Sequence, residues 1–268
     1  MSILKIAIIQ MQANKDIIMN LQKAEKYIEE AASNNAKIVV LPEFFIYIGD
    51  SSSDVFLNIV EEVGVGKIQE QISNWAILYK VHIVAGSIPI KGNGHKIFNT
   101  TIVYNDFGEM IALYNKIHLF KFQGKDNISY NESEIFQAGS DIVNFNVVNF
   151  SFGLAICYDL RFPELFRELA GVDVIIIPAA FMEETGSAHW EVLLRARAIE
   201  NQCYVIGAGQ CGIHHNGRRS YGHSMIVDPW GRVLNNPNNL ESIIYEDLDI
   251  NYIKTVREKL PALCHRRI

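Results

Sequence analysis

The sequence predicts an α/β protein with mixed sheets. Short runs of apolar and β-branched residues alternate with segments whose apolar residues recur at helical spacing, and this continues through both halves of the 268 residues. Some strands also follow one another directly: Asn105–Gly108 has the composition of a hairpin turn between Phe98–Tyr104 and Glu109–His118. Strands that alternate with helices favour parallel pairing, and strands that follow one another directly favour antiparallel pairing. Both kinds of pairing are therefore expected.

The first half is expected to run βαβαβββ. Apolar residues recur every three or four positions after Asp16, which makes this residue the expected N-cap of the first helix. Gly64 and Gly66 are expected to interrupt the second helical stretch. The predicted elements are strand Leu4–Gln10, a helix from Ile17 to Ala31, strand Ile38–Leu41, a helical stretch Val55–Tyr79, and strands Val81–Pro89, Phe98–Tyr104 and Glu109–His118.

The second half begins with a long segment without periodicity, Phe120–Ser140, which is predicted to be a loop and a candidate wall of an active site. Strands and helices alternate again after it, and no linker rich in Pro, Ser or Gly separates the halves, so residues 1–268 are predicted to form one domain. The predicted elements are strands Ile142–Phe150 and Phe152–Ile156, helix Arg161–Ala170, strand Val172–Pro178, helix Ala188–Asn201, strands Cys203–Gly209 and Ser220–Asp228, the turn Pro229–Gly231 and strand Ser242–Asp249.

Composition argues against several classes of function. The formal net charge is −6 and no basic stripe is present, so nucleic-acid binding is not expected. No apolar run approaches the roughly 18 residues of a membrane span, and the first residues do not resemble a secretory signal, so no membrane association is expected. The four cysteines show no CxxC pairing. These features predict a cytoplasmic protein with reduced thiols.

Three chargeable residues follow predicted strands. Glu43 follows the buried strand pattern, Lys116 lies near the end of another strand, and Cys157 joins an apolar run to a segment that is predicted to begin a helix. A helix N-terminus favours an anion, so this position is expected to lower the pKa of the thiol. Taken singly, a Cys in this position is more often a core residue and a Glu or Lys a surface residue. Together, an acid, an amine and a thiol at strand ends indicate a cysteine amidohydrolase.

The segments around these residues resemble the signature blocks of the nitrilase superfamily of carbon-nitrogen hydrolases. The blocks are Leu41–Glu43, Tyr114–His118 and Gly153–Glu164, in that order, and the resemblance extends from Lys5 to about Arg267. It implies a four-layer α-β-β-α sandwich with two sheets face to face. It also implies a homodimer, because the C-terminal tail, Val256–Arg267, resembles the tail with which family members pair.

The resemblance also implies roles for individual residues. Cys157 is the expected nucleophile, Glu43 the general base and then acid, and Lys116 the group that stabilises the oxyanion. Glu132 matches a second glutamate that holds the lysine. The expected reaction is attack of the thiolate on an amide carbonyl, formation of a thioester with loss of ammonia, and hydrolysis by water that Glu43 activates. The backbone N–H of Tyr158 is expected to bind the oxyanion with Lys116.

The segments Thr185–Tyr204 and Ser220–Gly231 most resemble the Nit branch of this family. They imply a small 2-oxo acid amide as substrate, with deaminated glutathione ahead of 2-oxoglutaramate, and an N-carbamoyl amino acid as the alternative. Thr185 and Arg161 are candidate substrate-binding residues, and an ion pair within the fold is the other role open to Arg161. Phe120–Asn127 departs from the family pattern, which implies an altered pocket. A catalytically silent binding protein with this fold is the non-enzymatic alternative. The presence of Glu43, Lys116 and Cys157 together argues against it.

Neither a metal nor a cofactor is expected. Four residues are zinc ligands by type: Cys203, Cys211, His214 and His215. Their spacing fits no common zinc pattern, and the glycines from Gly207 to Gly212 do not form a dinucleotide-binding motif. A protease that pairs Cys157 with His189 or His223 is chemically allowed, but the residues around the cysteine do not match such enzymes.

Overall fold

The structure is a computed structural model and describes residues 2–49, 53–123, 129–235 and 237–268. Its α-helices are α1 (Ile17–Ser33), α2 (Ser53–Ile59), α3 (Lys67–Tyr79), α4 (Pro163–Glu168), α5 (Glu183–Asn201) and α6 (Ile250–Lys259). Its strands are β1 (Ile3–Gln10), β2 (Ile38–Val40), β3 (His82–Val84), β4 (Ile88–Lys91), β5 (Ile97–Tyr104), β6 (Met110–Asn115), β7 (Lys121–Gln123), β8 (Ser129–Asn131), β9 (Asn144–Val147), β10 (Phe150–Leu154), β11 (Val174–Ala179), β12 (Tyr204–Gly209), β13 (Cys211–Ile213), β14 (Arg219–Tyr221), β15 (Met225–Val227), β16 (Val233–Asn235) and β17 (Ser242–Asp249). Short 3₁₀ helices span Glu132–Glu134, Cys157–Arg161 and Ala262–His265.

The first sheet has the order β17-β1-β2-β3-β5-β4, and β6 pairs with β5. Strands β1, β2 and β3 are parallel, whereas β17 and β5 pair antiparallel with their neighbours. Alternation along β1 separates two cores: Ile6 and Ile8 pack with residues of the second sheet, and Ala7 and Ile9 pack with α1 and α3. The sheet is therefore covered by the second sheet on one face and by helices on the other.

The second sheet has the order β16-β15-β12-β11-β10-β9, with β10, β11 and β12 parallel. Strand β11 is apolar and buried along its whole length, as expected for a parallel strand covered on both faces. Trp190 and Leu194 of α5 pack against this sheet on the side away from the first sheet. Helices, two stacked sheets and helices thus form the four layers, and the predicted α-β-β-α sandwich is confirmed.

Several predicted boundaries are correct. The Asp16 carboxylate accepts a hydrogen bond of 3.0 Å from the Met19 N–H, so this residue is the N-cap of α1 as predicted. The break between α2 and α3 contains Gly64 and Gly66. The hairpin turn before β6 is also present, because the Gly108 N–H donates to the Asn105 carbonyl at 2.9 Å.

Other predicted elements are wrong in detail. The predicted strand Val81–Pro89 is two strands, β3 and β4, because Gly86 turns the chain with φ +47°. The predicted strand Ser220–Asp228 is likewise split into β14 and β15. Helix α5 begins at Glu183, five residues before its predicted start. The predicted helix Arg161–Ala170 is a 3₁₀ helix followed by the short α4, because Phe162 is extended and Pro163 restarts the helix.

The predicted loop Phe120–Ser140 contains more regular structure than expected. Strands β7 and β8 pair antiparallel, with Lys121 opposite Asn131, and a 3₁₀ helix begins at Glu132. Residues 124–128, which include part of the segment that departs from the family pattern, lie outside the described residues. The hairpin fixes where Glu132 lies, and this position matters for the site.

Candidate active site

Glu43, Lys116 and Cys157 each lie one to three residues past the carboxyl end of a strand. Glu43 follows β2 and Lys116 follows β6, both in the first sheet, whereas Cys157 follows β10 in the second sheet. All three side chains are buried. The face-to-face packing of the sheets therefore brings together the acid, the amine and the thiol that the sequence placed at strand ends.

A tight backbone approach fixes the Glu43 loop. A Cβ on Gly86 would lie 2.0 Å from the Pro42 carbonyl oxygen, so only glycine fits there. Next to it, the Phe44 N–H donates to Ser87 Oγ at 3.0 Å, and Phe44 itself has φ +55°. The turn between β3 and β4, which the sequence did not predict, thus determines the position of Glu43.

Lys116 Nζ is surrounded by carboxylate oxygens. It lies 2.9 Å from Glu43 Oε1 and 2.9 Å from each oxygen of Glu132. Burial opposes the charge, but Glu132 and Glu43 outweigh it and raise the pKa of Lys116 above its ordinary value. Lys116 is therefore a fixed cation and not a proton acceptor.

Glu132 is held in place by Lys116 and by the preceding segment. Its Oε2 accepts a hydrogen bond of 2.7 Å from the Phe120 N–H, and its own N–H donates to the Phe120 carbonyl at 2.9 Å. Burial raises the pKa of Glu132, and the Lys116 ammonium opposes this rise. The second glutamate that the resemblance implied thus contacts the lysine directly.

Both oxygens of the Glu43 carboxylate accept hydrogen bonds. Oε1 accepts from Lys116 and from Asn99 Nδ2 at 2.9 Å, and Oε2 accepts from the Ala180 N–H at 2.8 Å. The Cys157 thiol also hydrogen-bonds this carboxylate. Glu43 is thereby oriented between an ammonium and a thiol, as required of a group that moves a proton between a nucleophile and a leaving group.

The expectation of a lowered pKa for Cys157 is wrong. Burial and the Glu43 carboxylate raise the pKa of the thiol well above its ordinary value, and Lys116 only partly opposes them. In addition, a short 3₁₀ helix replaces the helix start that was expected to stabilise a thiolate. Cys157 has φ +47°, an uncommon backbone conformation for a residue other than glycine. The resting Cys157 side chain is therefore a neutral thiol, which would need a base in order to act as a nucleophile.

Asp159 ties two of the signature blocks together. Its Oδ2 accepts from the Ile156 N–H at 2.9 Å and from the Tyr114 hydroxyl at 2.7 Å. Its Oδ1 accepts from the His118 N–H at 2.8 Å and lies 2.8 Å from His118 Nδ1. These bonds hold the strained Cys157 turn against the segment that carries Lys116.

Neither Asp159 nor Asn99 was predicted from the sequence as a site residue. Asn99 is a fully buried amide within the apolar strand β5, and Asp159 is a fully buried carboxylate two residues after Cys157. A polar residue inside an apolar strand is a signal that could have pointed to Asn99, because buried polar groups need partners. The partners of Asp159 come from a distant segment, so its role becomes visible only in the structure.

Cys157 opens into a cavity of about 300 Å³. The three candidate substrate-binding residues line it: Tyr158, Arg161 and Thr185. Arg161 Nη1 lies 3.2 Å from His189 Nδ1, and its guanidinium lies over the rings of Tyr158 and Phe181. Within the described residues Arg161 forms no ion pair, so the ion pair left open for it is not observed there.

The described residues contain no cluster of three or more His, Cys, Asp or Glu side chains arranged to hold a metal. His214, one of the candidate ligands, instead bonds the Ala13 carbonyl at 2.8 Å through Nδ1 and Ser220 Oγ at 2.7 Å through Nε2. Among the same residues, no helix is long and apolar enough to cross a bilayer.

The sequence profile of the carbon-nitrogen hydrolases matches residues 5–258. This chain belongs to the carbon-nitrogen hydrolase family. It is 38% identical over 262 residues to deaminated glutathione amidase of Dictyostelium discoideum, with 93% of this chain and 89% of that protein covered. It is 35% identical over 269 residues to omega-amidase NIT2 of Danio rerio, with 100% of this chain and 96% of that protein covered.

A solved structure agrees with this assignment. Saccharomyces cerevisiae Nit3, described as a member of branch 10 of the nitrilase superfamily, matches with a TM-score of 0.89 and 34% identity, covering 100% of this chain and 97% of that one. The fold and the family implied by the signature blocks are therefore confirmed, and the chain is a hydrolase of carbon-nitrogen bonds.

Proposed function

We propose that this protein hydrolyses the amide bond of a small 2-oxo acid amide, with deaminated glutathione as its substrate, through a thioester on Cys157. The observation that carries the proposal is the contact of one buried ammonium, Lys116, with two carboxylates, one of which also bonds the Cys157 thiol. This set supplies a nucleophile, a base and a cation around one cavity, as amide hydrolysis requires.

In the first step Glu43 accepts the proton of Cys157 as the sulfur attacks the amide carbonyl. Because the resting thiol is neutral and bonded to Glu43, deprotonation and attack are coupled through this hydrogen bond. Lys116 Nζ and the Tyr158 N–H bind the oxyanion that forms. Each such donor contributes about 2.7 to 4 kcal/mol to transition-state stabilisation.

The tetrahedral intermediate collapses when Glu43 returns its proton to the leaving nitrogen, and a thioester remains on Cys157. The leaving group is ammonia for a primary amide such as 2-oxoglutaramate, and the sequence-based expectation of ammonia release holds only for such an amide. For deaminated glutathione it is the amine of cysteinylglycine, so ammonia is not released from that substrate. Glu43 then takes a proton from water as the water oxygen attacks the thioester carbonyl. When the C–S bond breaks, Glu43 returns this proton to the Cys157 sulfur, which releases the carboxylic acid and restores the neutral thiol.

Glu132 acts through Lys116 in this scheme. Its two oxygens are within 2.9 Å of Nζ and keep the ammonium from pairing only with Glu43. One carboxylate can then be protonated during the cycle while the lysine keeps a second anionic partner. Glu132 is thus a positioning residue for the oxyanion site.

Two observations support the choice of substrate. The relatives named deaminated glutathione amidase and omega-amidase cover nearly the whole chain. In addition, Arg161 faces the cavity without a carboxylate partner among the described residues, and it presents the planar group that binds a carboxylate bidentately. The carboxylate next to the 2-oxo group, which both substrates share, is assigned to Arg161. Hydrolysis of 2-oxoglutaramate is the second candidate, supported by the relative from Danio rerio.

The proposed assembly is a homodimer. One face of α5 packs on the second sheet, while Val192 and Ile199 on its other side are 67% and 51% exposed. Leu260, in the C-terminal tail, is 50% exposed. Burial of these side chains would favour pairing of two copies. Light scattering of the unmodified protein should give twice the mass of one chain. The double variant that combines Val192→Glu and Ile199→Glu should give the mass of one chain.

The proposed location is the cytoplasm. All four cysteines are free thiols, and the mechanism requires Cys157 to remain reduced. Fractionation of cells that express the tagged protein should recover it with cytoplasmic markers, and recovery in another compartment would contradict the proposal.

The function is tested with a panel of amides. Release of amine, ammonia and carboxylate should be measured for deaminated glutathione, 2-oxoglutaramate, glutamine, an aliphatic nitrile and an N-carbamoyl amino acid. We expect the highest kcat/KM for deaminated glutathione, then 2-oxoglutaramate, and no turnover by Cys157→Ala. Cys203→Ala is the matched control, because Cys203 is a buried thiol that is not among the residues lining the cavity. Preferred turnover of the carbamoyl compound would contradict the proposal.

A further inference from the structure

Arg218 lies between the catalytic cavity and a second, larger one. It lines the first cavity together with Cys157 and Arg161. It also lines the second, of about 870 Å³, which shares Phe120 and Glu132 with the first. The two cavities are therefore adjacent, with Arg218 at their junction.

The guanidinium of Arg218 is only partly satisfied. Its Nη2 donates to the Ala180 carbonyl at 2.5 Å, and the group lies 5.5 Å from the centre of the Tyr130 ring. Its Nε is buried without a hydrogen-bond partner, and within the described residues Arg218 forms no ion pair. A buried donor without a partner is costly, so an anion bound here would replace missing interactions.

The backbone of Arg218 is fixed by its own turn. The His214 N–H donates to the Arg218 carbonyl at 2.8 Å, and the Arg218 N–H donates to Asn216 Oδ1 at 3.0 Å. Asn216 Nδ2 in turn donates to the Gly49 carbonyl at 2.7 Å. Because His214 is buried and bonded through both ring nitrogens, the turn holds Arg218 at the junction as part of a built site.

Charge in the second cavity also singles out Arg218. Among the described residues that line it, Arg218 is the one cationic side chain. The two carboxylates there already have partners: Glu132 bonds Lys116, and Glu134 accepts from Asn131 Nδ2 at 3.1 Å. A ligand with a negative group would therefore meet Arg218 as its counter-ion.

The lining residues indicate which end of the substrate enters the second cavity. A general acid has to lie beside the leaving nitrogen. Glu43 lines the first cavity and Phe44, directly after it, lines the second, so a leaving nitrogen beside Glu43 lies at the border of the two. Arg161 and Thr185 line only the first. The acyl part of the amide is thus assigned to the first cavity and the amine part to the second.

We propose that Arg218 binds a carboxylate on the amine part of the substrate, which makes an N-substituted amide with an acidic leaving group the preferred substrate class. The inference rests on the proposed amidase function. Deaminated glutathione has a carboxylate at each end, one for Arg161 and one for Arg218. 2-Oxoglutaramate has only the first carboxylate and leaves the second cavity unfilled.

The test compares three substrates in purified full-length protein: deaminated glutathione, its C-terminal carboxamide and 2-oxoglutaramate. The acid should be hydrolysed with about 10- to 100-fold higher kcat/KM than the carboxamide, the effect expected for a charge-assisted hydrogen bond. Arg218→Gln should reduce this ratio to near one, and Arg218→Lys should keep part of it. Arg219→Gln, which alters an exposed neighbour near Glu183, should keep all of it.

The ratio of two substrates separates recognition from a general loss of activity, because misfolding of Arg218→Gln would lower both rates together. A ratio near one in the unmodified protein, or an unchanged ratio in Arg218→Gln, would overturn the inference. Turnover of 2-oxoglutaramate without turnover of deaminated glutathione would overturn it while leaving an amidase function intact. Turnover of none of the three would refute the proposed function itself.

Discussion

Lys116 Nζ lies 2.9 Å from Glu43 Oε1, and both side chains are buried. A pair of this kind balances a cation against an anion away from water, where either charge alone would be costly. Here Glu132 adds a second carboxylate, so the group carries a net negative charge beside the Cys157 thiol. Burial and the Glu43 carboxylate raise the pKa of the thiol and keep it neutral at rest. Because the group mixes one cation with two anions, removal of different members should have different consequences.

The first prediction concerns the pKa of the nucleophile. Glu43 raises the pKa of Cys157 and Lys116 lowers it, so Glu43→Gln should make the thiol more acidic while abolishing hydrolysis, because the base is lost. Thiolate absorbance near 240 nm, with the Glu43→Gln and Cys157→Ala double variant subtracted, should begin at lower pH than in the unmodified protein. A shift of this onset to higher pH would contradict the proposed charge arrangement.

The second prediction separates stability from catalysis at Lys116. Lys116→Met leaves two buried carboxylates without their cation, so unfolding free energy should fall by about 3 to 5 kcal/mol. Adding Glu132→Gln removes one of these charges and should restore part of that stability in urea unfolding. The double variant should still hydrolyse substrate at least about 100-fold more slowly than the unmodified protein, because the proposed oxyanion donor is absent. Recovery of activity together with stability would mean that Lys116 is only structural.

The third prediction concerns Arg161, which is assigned to the carboxylate beside the 2-oxo group. Arg161→Lys keeps the charge and loses the bidentate geometry, so KM should rise far more than kcat falls, since the contact is made equally in the ground and transition states. The change should be the same for deaminated glutathione and 2-oxoglutaramate, which share this carboxylate. Unchanged steady-state kinetics would contradict binding of the substrate carboxylate by Arg161. The contact with His189 would then be the role left for this residue.

The fourth prediction concerns pH and stability. Burial lowers the pKa of His214 to about 4, below the value of about 6.5 in an unfolded chain. The unfolded state thus takes up a proton first as the pH falls. The stabilisation is complete above pH 6.5 and is lost between pH 6.5 and 4, by about 2 to 3 kcal/mol. Melting temperatures between pH 7.5 and 4.5 should show this loss.

His214→Gln is the matched variant for that measurement, because it keeps polar atoms and does not titrate. Its melting temperature should depend less on pH over the same range than that of the unmodified protein. Equal pH dependence in the two proteins would assign the effect to other groups. Since His214 holds the turn that carries Arg218, the variant should also reduce the preference for a substrate with an acidic leaving group.

The sequence predicted which residues would come together because three of them lie in short contiguous blocks at strand ends and the family resemblance added Glu132. Glu43, Lys116, Cys157 and Glu132 do meet, and the family and fold follow from the same blocks. Most strands and helices were also predictable from periodicity. The exceptions, such as the split at Gly86, depend on a close approach to Pro42 from another part of the chain, which no local pattern reveals.

Features that depend on burial or on distant partners were not predictable. The raised pKa of Cys157 follows from burial and from the Glu43 carboxylate, whereas the local sequence alone indicated a lowered pKa. Asp159 is effective because Tyr114 and His118 reach it from another block. Arg218 becomes noticeable only when its missing partners and its cavity are seen together.

The measurement that tests the central claim most directly is identification of the acylated residue. The protein should be mixed with deaminated glutathione or 2-oxoglutaramate, quenched in acid and examined by intact-mass and peptide mass spectrometry. Both substrates have the same acyl group, so both should give the same 2-oxoglutaryl thioester on Cys157, and Cys157→Ala should give none and be inactive. An adduct on Cys203, Cys211 or Cys264, or turnover by Cys157→Ala, would contradict the mechanism.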